Sequence, residues 1–175
     1  MGGAVRLVPL AERHLAAVAV LVDDPDVQRF TRVPVPPPAD FATTWLARYE
    51  QGRVNGTREV YAVEDPADAS FLGVAVLPWI DRESATAELG YMVAPAARGR
   101  GVATAAIRQL VAICFAELGM ERLELLISIA NLPSKAVAER CGFTYEGTLR
   151  STFVKPGLRE DMEIWGRLPI DPEPE

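Results

Sequence analysis

Apolar and polar residues alternate along Val5–Leu10 (VRLVPL), the pattern of a half-buried first strand. Ala11–Val22 then places Leu15, Val18 and Val22 at helical spacing and stops at an Asp-Asp-Pro turn. His14, beside Arg13 on that helix, reads as a solvated surface histidine rather than a catalytic one. Asp26–Thr31 predicts a short second helix. The four prolines of Val33–Pro38 (VPVPPP) cannot continue it, so that stretch is an extended connector. Ala39–Tyr49 predicts a third helix, with Phe41, Trp45 and Tyr49 four apart on one face. Such a stripe either packs into a core or, next to a proline-rich loop, walls a cleft.

Strand patterns follow. Glu59–Glu64 (EVYAVE) alternates, Asp65–Ala69 (DPADA) has turn chemistry, and Phe71–Leu77 (FLGVAVL) is apolar almost throughout. Pro78–Glu83 is expected to turn, and Ala85–Val93 to form the next strand. Val102–Leu118 carries the clearest helical period, with Ile107, Leu110, Val111, Cys114 and Leu118 on one face and Gly119 in the place of a terminating glycine. Arg122–Ile129 (RLELLISI) is a strand. Asn131-Leu132-Pro133 opens a helix that ends at Gly142, and Phe143–Leu149 and Glu160–Leu168 close the chain as strands.

This order predicts an α+β domain on one mixed, mostly antiparallel sheet, with a parallel pair across the Val102–Leu118 crossover helix. At 175 residues the chain suits one domain, expected over residues 1–168. Pro169–Glu175 (PIDPEPE) is acidic and proline-rich, and a disordered tail is expected there.

Composition narrows the possibilities. The net charge of −6 argues against nucleic acid as a partner, since phosphate binding needs a broad basic surface. No apolar run approaches a membrane span and the start lacks a signal-peptide layout, so a cytoplasmic protein without a membrane partner is expected. Cys114 and Cys141 read as free thiols. One histidine and two distant cysteines suggest no metal site.

Chemistry concentrates at Ala87–Ala103 (AELGYMVAPAARGRGVA), a strand, a proline turn, an Arg/Gly run and a helix start. Pro95 removes a ladder donor, so the strand before it can part from a neighbour. Glycines at 99 and 101 let the main chain approach a ligand with its N–H groups turned inward. Arg98 and Arg100 add donors for phosphate oxygens, and the helix dipole favours an anion by about 0.3–1 kcal/mol. A Gly-Arg-Gly turn alone would equally suit a tight strand-to-helix connection with surface arginines.

The run Arg98-Gly99-Arg100-Gly101-Val102-Ala103 resembles the Arg/Gln-x-x-Gly-x-Gly/Ala signature of the GNAT superfamily of N-acetyltransferases. Asn131–Phe143 (NLPSKAVAERCGF) is similar to that superfamily's second motif, and ELGYMVAP and YEGTLR look most like its RimJ/RimL branch. The resemblance implies a single GNAT-like domain whose sheet splays at an acetyl-CoA site. It implies that Gly99, Gly101, Val102 and Ala103, with Arg98 and Arg100 beside them, take the pyrophosphate. Met92 and Val93 would pair with the pantetheine like an added strand, and Asn131 would hydrogen-bond it. A main-chain N–H near Met92–Val93 would face the developing oxyanion.

For catalysis, Glu88 is the expected base, directly or through a water. The alternative for it is a salt-bridged strand carboxylate. Many members carry a tyrosine seven residues past the asparagine; here that position is Ala138, and Ser134 is the nearest substitute as acid, unless it only satisfies the helix's first turn. Tyr91 and Tyr145 are further candidates that also suit sheet packing. An acyl-cysteine route through Cys141 lacks a neighbour to lower its pKa. The acceptor expected is a primary amine, foremost a protein or peptide N-terminus, with walls from Phe30–Tyr49 and the loop near Ser151–Arg159. A small-molecule amine acetyltransferase, a different acyl donor and a non-catalytic acyl-CoA-binding module are the alternatives. A homodimer through the closing strands is a family-based expectation.

Overall fold

The computed structural model describes residues 4–174. Seven strands form one sheet in the order β1-β2-β3-β4-β5-β7-β6. They are β1 (Arg6–Pro9), β2 (Glu59–Glu64), β3 (Phe71–Asp81), β4 (Thr86–Val93), β5 (Arg122–Ser128), β6 (Thr144–Lys155) and β7 (Leu158–Arg167). All neighbours are antiparallel except β4 and β5, which run parallel because α4 (Val102–Ala116) crosses over between them.

Helices cover both faces. On one, α4 and α5 (Leu132–Arg140) bury Ile107, Leu110, Cys114 and Ala138 against Leu77, Leu89, Leu123 and Leu125. On the other, α1 (Leu15–Val22), α2 (Pro25–Phe30) and α3 (Phe41–Asn55) bury Val18, Leu21, Trp45 and Tyr49 against Val60, Ala62, Val74 and Met92. Strand alternation feeds both cores. In β4, Ala87 and Leu89 pack toward α4, while Met92 packs toward the α1–α3 layer.

The feature that makes a site is the β4–β5 pair. Its register runs Thr86↔Arg122 to Leu89↔Leu125 and stops. Beyond it, β4 stays paired with β3 to Val93, and β5 with β7 to Ser128. The sheet therefore splits after Leu89, leaving main-chain groups of Gly90–Val93 without a strand on that side. Among the described residues, no helix is long and apolar enough to cross a membrane.

The structure changes several sequence expectations. Pro78 does not end β3: the strand runs on to Asp81, with a register shift between Val76 and Trp79 that takes up the missing donor. The aromatic stripe of α3 is core, with Trp45 and Tyr49 buried and their rings 4.9 Å apart edge to face. His14 is not a surface residue. It is 4% exposed, its Nδ1 accepts from the Ala11 amide at 3.0 Å, and its Nε2 donates to Glu64 at 3.0 Å. Local sequence could not show this, because Glu64 is 50 residues away and reaches His14 only once β1 and β2 have paired.

Candidate active site

Gly99 and Gly101 hold φ of +71° and +77°, the left-handed region that side chains make costly. That conformation turns the chain sharply from the 3-10 turn at Pro95–Ala97 into α4, whose N-cap is Gly101. The backbone amides from Gly99 to Thr104 have no acceptor among the described residues. They lie at the positive end of a 15-residue helix, and a Cβ on Gly99 would meet nothing within 4 Å. Unpartnered donors on an open concave turn at a helix N-terminus suit a phosphate or pyrophosphate.

Arg98 departs from its expected place as a phosphate ligand. Its Nη2 lies 2.5 Å from Asp24 Oδ1, its Nη1 2.9 Å from Asp26 Oδ2, and its Nε donates to the Val93 carbonyl at 3.2 Å. With three acceptors from its own chain, the guanidinium anchors the loop to α2. Arg100 is exposed at the turn and, with its neighbours' amides, supplies the positive field.

Around the split, side chains arrive from both faces. Glu88, with 16% of its side chain exposed, looks toward the α1–α3 layer, where Arg32 Nη2 lies 3.0 Å from its carboxylate. Tyr91 packs toward α4, and its hydroxyl donates to Ser134 Oγ at 3.0 Å. Burial pushes the Tyr91 phenol up to about 12, against the opposing effect of its bond to Ser134, so it stays protonated and donating. That leaves the Ser134 proton free to point elsewhere. The bond spans the split, from β4 on one side to the helix that follows β5 on the other.

Asn131 caps α5, its Oδ1 accepting from the Ser134 amide at 3.2 Å, which fixes the residue beside Ser134. Met92 is buried, and Val93 ends β4 where the split is widest in sequence. Tyr91, a further candidate for the acid that also suits sheet packing, does both here: three residues past Glu88, it takes the opposite face of the same strand, packs there and still reaches Ser134.

The other candidates do not join this group. Tyr145 meets Trp165 edge to face, ring centroids 5.7 Å apart, and bonds Thr148 at 2.9 Å. Burial raises Cys114 to about 12 and Cys141 to about 11, so neither supplies a thiolate near neutral pH.

A cleft of about 300 Å³ is lined by Arg32–Val35 and by Thr152–Pro156, inside the two stretches expected to wall an acceptor, and Arg32 links it to Glu88. Lys155 fastens them, its Nζ donating to the carbonyls of Gln28 and Val33. Nearby, Arg29 grips Glu160 through both nitrogens at 2.9 and 2.7 Å, tying α2 to β7.

Residues 4–144 match the family model of the acetyltransferase (GNAT) domain. The chain belongs to the GNAT family. It is 35% identical over 101 residues to the putative ribosomal N-acetyltransferase YdaF of Bacillus subtilis, a match covering 58% of this chain and 55% of YdaF. The chain thus spans about half of that relative's own length. In fold it is similar to RimL, a ribosomal L7/L12 alpha-N-protein acetyltransferase solved with coenzyme A, at a TM-score of 0.87, 20% identity and 94% coverage of both chains. It is also similar to the spermidine N-acetyltransferase of Vibrio cholerae solved with CoA and spermine, at 0.83, 22% identity, and 94% and 95% coverage. These likenesses show that the GNAT family's fold continues over nearly the whole chain.

Proposed function

We propose that this GNAT domain moves an acetyl group from acetyl-CoA to a primary amine, most favourably the α-amine of a protein or peptide N-terminus. The observation that carries the reading is the row of unpartnered amides from Gly99 to Thr104, set at the mouth of the β4–β5 split. Those amides would hold the pyrophosphate, and the free edge of Gly90–Val93 would pair with the pantetheine arm. Asn131 would add a side-chain contact to that arm. When bound, acetyl-CoA supplies an activated acetyl thioester.

The protein's own groups then divide the proton work. Glu88 takes the proton that the acceptor ammonium must lose. An α-amine of pKa about 7.7–8.0 needs only about 0.5 kcal/mol for this near pH 7.4, whereas a lysine near 10.4 needs about 4 kcal/mol. A partly exposed strand carboxylate is adequate to the first task, which favours an N-terminal amine over a lysine. Ser134, fixed by its bond from Tyr91, holds a hydroxyl proton for the departing thiolate. Relatives whose names specify a ribosomal protein or spermidine leave both peptide and small-molecule acceptors within the family.

Free-thiol release from acetyl-CoA, measured with N-terminal peptides, free amino acids and polyamines, tests the proposal. Peptide-dependent release supports it. Binding of acetyl-CoA without release to any amine would make the domain an acyl-CoA-binding module instead.

A further inference from the structure

The cleft that Arg32 borders has one sign of charge. Of its lining residues, Arg32 and Lys155 are charged and both are cationic, and no carboxylate lies among them. The neighbouring acid Glu160 is neutralised by the two-pronged grip of Arg29 and by Ser128. Arg32 also covers Glu88, touching one carboxylate oxygen at 3.0 Å and the other at 3.3 Å. Arg32 is 63% exposed in its side chain and sits on the loop after α2. With its guanidinium this open to solvent, Arg32 is held weakly and is readily exchanged for a better partner.

Resting on the acetyltransferase reading above, we propose that Arg32 is a specificity-determining residue that selects acceptors bearing a carboxylate a few bonds from the reactive amine. Such a molecule exchanges partners with the resting pair: its carboxylate takes the Arg32 guanidinium and its ammonium takes Glu88. The exchange leaves no charge unpaired and uncovers Glu88 only when a matching acceptor is in place. A polycation meets Arg32 and Lys155 in a lining that holds no carboxylate to offset them. The matching chemistry is found in an N-terminus with an acidic first or second residue and in a free amino acid. The other lining residues, Val33–Val35, Thr152–Val154 and Pro156, are apolar or neutral.

The test compares kcat/KM for peptides beginning Ser-Asp and Ser-Lys, for free serine, and for spermidine, using the wild type, Arg32→Ala and Arg32→Lys. One charge-assisted bond gained and one repulsion avoided give the Ser-Asp peptide an advantage of about tenfold or more over Ser-Lys. Arg32→Ala brings the two peptides to within about twofold, mainly through KM, while Arg32→Lys keeps part of the preference. A purely structural role for Arg32 would slow all acceptors alike, and that result overturns the proposal. So does a wild-type preference for Ser-Lys or spermidine. Free serine outpacing Ser-Asp would assign the same chemistry to an amino-acid acceptor. Fluorescence anisotropy of the labelled peptides with coenzyme A present reads the preference without turnover, so an absence of thiol release overturns the catalytic reading and leaves this one still decided.

Discussion

Arg98 Nη2 lies 2.5 Å from Asp24 Oδ1, joining the glycine turn before α4 to the residue that caps α2. Burial alone would raise the Asp24 carboxyl, but the hydrogen bonds from Arg98 and from the Val27 and Asp26 amides outweigh it and hold the group below the usual range. The glycine turn and the helix leading to Arg29 and Arg32 are thus one mechanical unit. Arg98→Ala should cost about 1 kcal/mol in urea unfolding and weaken coenzyme A binding severalfold by calorimetry. Arg98→Lys should recover little, since a single ammonium cannot reach Asp24, Asp26 and the Val93 carbonyl together. Unchanged affinity in both variants would show that the loop holds its shape without the anchor.

Placing a side chain on Gly101 should damage the cradle. At φ +77° a β-branched residue is strained by about 1–2 kcal/mol, and relief of that strain would rotate the amides away. Gly101→Val should raise the Kd for coenzyme A at least tenfold while leaving the circular-dichroism spectrum intact. Wild-type affinity in this variant would remove the loop from the binding site.

Glu88→Gln keeps the shape and the contact to Arg32 but cannot take a proton. A positioned base contributes about 10²–10⁴-fold, so kcat should fall by about that much with little change in coenzyme A affinity. Retained turnover would place the base elsewhere.

Ser134→Ala should lower kcat by about tenfold or more, and Tyr91→Phe by less, since the phenol holds Ser134 in place rather than meeting the leaving group. The double variant should be no slower than Ser134→Ala alone. Additive losses would mean that the two hydroxyls act independently.

The buried Glu64 ties stability to pH. Hydrogen bonds from His14 and Arg6 lead the effects that hold its carboxyl down to about 2, against burial, from an ordinary value of 4.5. Because the folded value is the lower, the stabilisation is complete above the unfolded pKa and is lost as pH falls from about 4.5 toward 2. Arg6 and Arg13 are about half exposed, which screens part of the effect, so roughly 2 kcal/mol is expected. Denaturant titrations of the wild type and Glu64→Gln should differ by that amount at pH 7 and converge near pH 2. A constant gap would assign the loss to packing.

Much of the candidate site's geometry was legible because it is built locally. Gly99, Gly101, Val102 and Ala103 sit within five residues, and a turn-to-helix junction is built by short-range dihedral preference. Glu88 and Tyr91 share a strand, so their alternation could be counted. The Asn131 cap and the Ser134 amide it satisfies are one helical turn apart. What was misplaced depends on long-range partners. Arg98 finds its carboxylates more than 70 residues back, and Arg32 reaches Glu88 across 56 residues.

By itself, the sequence determined the order of strands and helices, the crossover that makes β4 and β5 parallel, and the glycine turn that bares a row of amides. Hydrophobic period, cap residues and turn chemistry act over a few positions, and each is written in the chain directly. Only the tertiary structure decided which arginine is free and which is occupied, that His14 is buried, that Leu89 is the last residue before the expected parting of the sheet, and that the cleft Arg32 borders is cationic. Those outcomes rest on charges and main-chain edges brought within a few ångströms by packing, a proximity that no local pattern encodes.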